Sequence, residues 1–158
     1  MASKKYAAVL DFLAILAPAT AVGAVRALAE YRIGTLPLGF DSSYAYVVQY
    51  LGKEMGFVEA VSNFNLLYFV FSLMENLGGV DAFLAIKIVG TTLFFLVSLL
   101  FGMLLQRVLK LSPWLSGLGV ILFGLQLSTL RLSWDLHRNE LGITFLFATI
   151  LCAHSFWQ

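Results

Sequence analysis

The densest group of ionisable side chains in this chain is the run Arg131-Leu132-Ser133-Trp134-Asp135-Leu136-His137-Arg138-Asn139-Glu140. Asp135 and Glu140 offer hard carboxylate oxygens of the kind that hold Mg or Mn ions. Arg131, His137 and Arg138 supply positive charge beside them, and arginine grips phosphate through two parallel hydrogen bonds. Acids and arginines so interleaved suit a pyrophosphate held together with a divalent cation. The competing reading is a solvated loop whose charges pair with one another and with lipid headgroups. A second candidate, Asp41, stands in Gly39-Phe40-Asp41-Ser42-Ser43-Tyr44. That carboxylate can ligate a cation or take a proton from an acceptor hydroxyl. It can equally cap a helix, since Asp41, Ser42 or Ser43 can each accept the first free backbone N–H groups, and one residue can do both.

These polar segments interrupt a chain that is otherwise suited to lipid. The 158 residues are 60% hydrophobic and 15% aromatic, with only 12% charged, and mean hydropathy is +0.89. Soluble domains carry about 25% charged residues, so the composition is that of an integral membrane protein. A charge at the bilayer centre costs at least about 2.5 kcal/mol, which drives both candidate segments to the membrane surface or into a polar cavity. The net charge of +1, with no Lys/Arg-rich run, leaves no basic field for nucleic acid. Cys152 is the single cysteine, which excludes an internal disulfide and any CxxC site. Walker A, GxGxxG and HExxH patterns are absent.

A membrane-crossing helix needs about 20 apolar residues. Tyr6–Val25, Phe83–Leu105 and Ser112–Leu130 satisfy this, and Leu141–Gln158 does so marginally because of His154 and Gln158. The first of these runs is too long for a cleaved signal sequence and is expected to be a retained span, kinked at Pro18. Residues 26–81 form a long first loop. Within it Tyr44, Val47, Val48, Leu51, Met55 and Val58 recur at helical spacing opposite Gln49, Lys53 and Glu54, which predicts an interfacial helix over Ser43–Val58. Phe64–Met74 is apolar but short, as expected of an interfacial or re-entrant helix stopped at Glu75-Asn76. Lys4 and Lys5 before the first span, and Arg107 and Lys110 between the second and third, put these positions on the cytoplasmic side. The long loop is then external, with six acids against three bases, and the Arg131–Glu140 run faces it. Of the isolated polar residues, Lys87 is expected to snorkel to the interface, with a lipid phosphate as the sharper alternative. Asp11 is expected to be interfacial and His154 packed, while Gly102, Gly117, Gly119 and Gly124 should allow close helix approach.

The arrangement resembles the N-terminal part of the GT-C membrane glycosyltransferases, which include the oligosaccharyltransferase catalytic subunits and the protein mannosyltransferases. Asp41 in Gly-Phe-Asp-Ser-Ser-Tyr is similar to the early aspartate in the first external loop of that superfamily. Arg131, then Asn139-Glu140 leading into Leu-Gly-Ile-Thr-Phe, resembles the arginine and Asp-Asn-Glu run of oligosaccharyltransferase subunits. Arg138 stands where that motif has its aspartate, so the likeness is to the broad superfamily. The resemblance implies catalysis by Asp41, a cation held by Asp41, Asp135 and Glu140, and donor phosphate on Arg131, Arg138 and His137.

The sequence therefore predicts an all-α integral membrane protein. About four transmembrane helices span residues 6–25, 83–105, 112–130 and 141–158, with one or two interfacial helices in the loop 26–81. Residues 1–158 form a single transmembrane domain, read as the N-terminal part of a larger GT-C-type membrane domain. The expected partners are a polyprenyl-linked sugar donor, membrane lipids and further spans or membrane subunits, without nucleic acid. The expected setting is the plasma membrane with a cytoplasmic N-terminus. The alternative is a non-catalytic multi-pass subunit, small transporter or assembly component.

Overall fold

A computed structural model describes residues 2–32, 66–126 and 137–157, with Gly34, Pro37, Val47, Leu51 and Thr129 singly. Every described element is helical: α1 Ala2–Arg32, α2 Leu66–Gly78, α3 Ala82–Arg107, α4 Pro113–Leu125 and α5 His137–Phe156. Three helices are long and apolar enough to cross a membrane, over Val9–Arg32, Ala82–Arg107 and Asn139–Phe156. The described part of the chain is thus all-α and of membrane character.

The ends of the helices follow from local chemistry. In α2, Asn76 donates to the Ser72 carbonyl at 2.7 Å, and the helix runs past Glu75-Asn76 to stop at Gly79. There the φ of +61° allows the Gly79 N–H to close on the Glu75 carbonyl at 3.0 Å, a left-handed cap that glycine adopts without a Cβ penalty. Asp81 then opens α3, its Oδ1 accepting from the N–H groups of Phe83 at 2.9 Å and Leu84 at 3.1 Å. Ser112 caps α4 in the same way, followed by Pro113 in the first turn.

Packing registers fix the directions. A Cβ on Gly23 would stand 3.2 Å from Phe95 Cβ, and one on Gly90 would stand 3.4 Å from Arg26 Nη2. Rising residue numbers in α1 thus meet falling ones in α3, and the two are antiparallel. Gly117 lies by Pro18 and Gly124 by Val22, so α4 runs parallel to α1. Phe101 stacks on Phe123 with ring centroids 4.5 Å apart and meets Phe147 at 6.0 Å. With Gly90 beside His137, α5 runs parallel to α3. Helix α3 packs against each of the other four. Gly102 and Gly117 are buried because larger side chains there would strike Ile15 and the Ala14 carbonyl, so bare backbone is what lets α1, α3 and α4 close.

The C-terminal ends of α1 and α4 and the N-terminal ends of α3 and α5 therefore share one end of the bundle. The segments 33–65 and 127–136 both depart from it. Helix α2 joins α3 there through Leu67, Tyr68 and Phe71 against Ala82, Ala85 and Ile86. Its 13 residues reach only about 20 Å, and the chain begins and ends this excursion at the same end.

Element bounds differ from the sequence expectation at functionally important places. Helix α1 continues unbroken through Pro18 to Arg32, which carries Arg26, Glu30 and Arg32 out of the expected loop. Helix α5 begins at His137, so His137-Arg138-Asn139-Glu140 forms its first turn. Helix α4 stops at Leu125, where Gln126 turns extended with ψ 133°, short of the expected Leu130. The helix expected over Ser43–Val58 lies outside the described residues, except for Val47 and Leu51.

Candidate functional site

Arg26 and Glu30 lie on the stripe Ile15, Ala19, Val22, Arg26, Glu30, all buried. The 3–4 residue spacing that turns apolar side chains of α1 toward α3 also turns in these two charges. They form an ion pair four residues apart on one helix, each 1% exposed or less. A buried pair of this kind holds only while both members are present.

Helix α3 contributes Lys87 and Gly90. Lys87 is 3% exposed, and its Nζ donates to the Glu30 carbonyl at 3.3 Å and to the Gly34 carbonyl. The ammonium also lies 5.7 Å from the centre of the Tyr31 ring. The expectation that Lys87 snorkels outward is corrected here. Its ammonium instead satisfies carbonyls freed at the C-terminus of α1, where the helix dipole favours a cation. At Gly90 the missing side chain leaves room for His137 and Arg26, since a Cβ would lie 3.0 Å from His137 Cδ2.

Helix α5 brings His137 and Glu140, three residues apart on one face, each 1% exposed. Burial first, and the Arg26 guanidinium second, push the His137 imidazole down to about 3. At neutral pH His137 is therefore a neutral ring. The Arg26 charge also acts on the Glu140 carboxylate. Both Glu140 oxygens are buried without a hydrogen-bond partner among the described residues. A carboxyl group so placed is costly unless it stays neutral or something is bound to it.

Of the site residues expected from sequence, His137 and Glu140 are brought together. Arg138 lies on the first turn of α5, and Asp41, Arg131 and Asp135 fall outside the described residues. Among the described residues no group of three His, Cys, Asp or Glu gathers as a metal site. Glu140 is the single described donor of the expected Mg or Mn site, with hard oxygens that suit such an ion and an arginine beside it that opposes one.

Arg26, Glu30 and Lys87 are members of this cluster that sequence reasoning left in a loop or at the interface. The signal that could have found the first two is the continuation of the apolar stripe of α1 by exactly helical steps of three and four. No protein-family model, curated protein or solved structure matches this chain.

Proposed function

We propose that this chain is the N-terminal membrane part of a GT-C-like glycosyltransferase that takes its sugar from a polyprenyl-phosphate or polyprenyl-pyrophosphate donor. The observation that carries the reading is the convergence of Arg26, Glu30, Lys87, His137 and Glu140 at the bundle end from which both long polar segments leave. Asp41 on one segment, and Arg131 and Asp135 on the other, start from the same end and can complete one pocket. The basic residues Lys4, Lys5, Arg107 and Lys110 put the opposite end in the cytoplasm, so the pocket opens on the external face of the plasma membrane. In this reading α4, although it ends at Leu125, counts with the three longer helices as a fourth span, and α2, in the first loop, lies at the membrane surface.

The chemistry assigns each residue a step. Asp41 takes the proton from the acceptor as its nucleophilic atom bonds to the anomeric carbon of the sugar. The sugar–oxygen bond to phosphate breaks, and the electron pair leaves with the prenyl phosphate. Arg131 and Arg138 hold that phosphate and its developing charge, with His137 donating a neutral N–H. Glu140, with Asp135 and Asp41, would hold a divalent cation when one is bound, which would supply further charge to the leaving phosphate. The lipid-facing helices accommodate the prenyl tail.

The test is transfer from a radiolabelled polyprenyl-linked sugar by the full-length protein in nanodiscs. Asp41→Asn and Glu140→Gln should each abolish transfer while membrane insertion is unchanged, and wild-type rates in both would remove the proposed roles. A second reading, a non-catalytic membrane subunit, is favoured by one feature. An apolar groove of about 880 Å³ runs between α1 and α4, lined by Leu13, Ala17, Pro18, Trp114, Gly117 and Ile121, and an apolar surface of this kind suits contact with a further membrane subunit.

A further inference from the structure

At the charged end of the bundle a single side chain ties α3 to the C-terminal end of α1. The Lys87 ammonium, on α3, reaches back 57 residues to the Glu30 carbonyl and 53 residues to the Gly34 carbonyl. Glu30 is in the last turns of α1, and Gly34 lies beyond its end. Gly34 has a φ of +100°, a left-handed conformation that favours glycine and redirects the chain there. Pro37, three residues on, is buried.

We infer that Lys87 is a positioning residue, a latch that fixes where the segment carrying Asp41 leaves the bundle. The inference rests on the transferase reading for its functional consequence, though not for the latch itself. Asp41 is seven residues past Gly34, so with Gly34 held its reach is at most about 25 Å. With the latch open and the last turn of α1 frayed back to Glu30, the tether grows to eleven residues and about 40 Å. A general base must be held close to its target, and a misplacement of about 1 Å can cost about a hundredfold in rate. The bare ammonium suits this role because three donors on a flexible stem can serve two carbonyls at once. Arginine keeps both charge and donors, whereas methionine keeps only the stem.

The experiment uses the full-length chain in nanodiscs with Cys152→Ser and spin labels at Arg32→Cys and Leu84→Cys, both exposed positions. The distance distribution should be narrow with Lys87, broad in Lys87→Met and narrow again in Lys87→Arg. In the transfer assay Lys87→Met should lower kcat by about tenfold to a hundredfold and leave the donor KM unchanged, with Lys87→Arg restoring kcat. Lys87→Gln serves in place of Lys87→Met if that variant does not fold. An unchanged distribution in the neutral variants overturns the latch. A broadened distribution with an unaltered kcat overturns its functional part. Absence of any transfer by the parent chain removes the transferase reading, and the distance measurement still decides the latch.

Discussion

Two buried acids in the same cluster have opposite circumstances. Glu30 is paired with Arg26, whereas neither oxygen of Glu140 has a hydrogen-bond partner among the described residues. Removing Arg26 in Arg26→Met strands Glu30, and the expected loss of stability is about 3–5 kcal/mol. Glu140→Met removes an unsatisfied group and should instead stabilise by about 1–3 kcal/mol. Equilibrium unfolding in mixed micelles checks both signs. A stabilised but inactive Glu140 variant would mark a residue kept for function at the expense of the fold. His137 gives a pH signature. Its pKa falls from 6.5 to about 3 in the folded protein, so below pH 6.5 the unfolded chain binds a proton that the folded chain refuses. Stability is complete above that range and declines as pH drops from 6.5 toward 3. Relative to His137→Asn, the slope in that window should be steeper by about 1.4 kcal/mol per pH unit, as read from unfolding midpoints across pH.

Helix placement depends on short connections and on missing side chains. The Gly79-Val80-Asp81 link turns α2 into α3 through one left-handed cap and one carboxylate cap. Gly102 faces Ile15 and lies where an added Cβ would meet Val120 Cγ2 at 2.7 Å. Gly102→Val is therefore expected to overpack the α1–α3–α4 junction and cost about 1–3 kcal/mol, seen as a lower midpoint in the same unfolding experiment. Gly102, Gly117, Gly119 and Gly124 were recognisable in the sequence as packing positions, and Gly90 was not. What they pack against was not, because a helix pattern gives a face and no register between faces. The bounds of α5 illustrate a different limit. Hydropathy rises only after Glu140, so a span was expected from Leu141, although the backbone becomes helical four residues earlier.

In the assembled bundle, parallel α1–α4 packing brings the starts of segments 33–65 and 127–136 to one end. In a chain with Cys152→Ser, single cysteines at positions 41 and 139 should therefore react with an impermeant maleimide added from the same side of sealed vesicles. A cysteine at position 110, in the α3–α4 connection, should react only from the other side. Labelling of 41 and 139 from opposite sides would dismantle the proposed shared pocket and the proposed transfer mechanism with it.

Composition and run length alone pointed to a membrane protein, because apolar runs of about twenty residues in so weakly charged a chain are long enough to cross a bilayer, and three described helices meet that length. Local pattern also placed α3 within two residues of its bounds and found the charged run ending at Glu140. The sequence could not reveal that Arg26 and Glu30 belong with His137 and Glu140, or that Lys87 turns inward to carbonyls of the first segment. Those relations join residues separated by 50 or more positions. They arise only when Gly90 lets three helices approach closely enough for burial to strip water from the charges, leaving them to find one another.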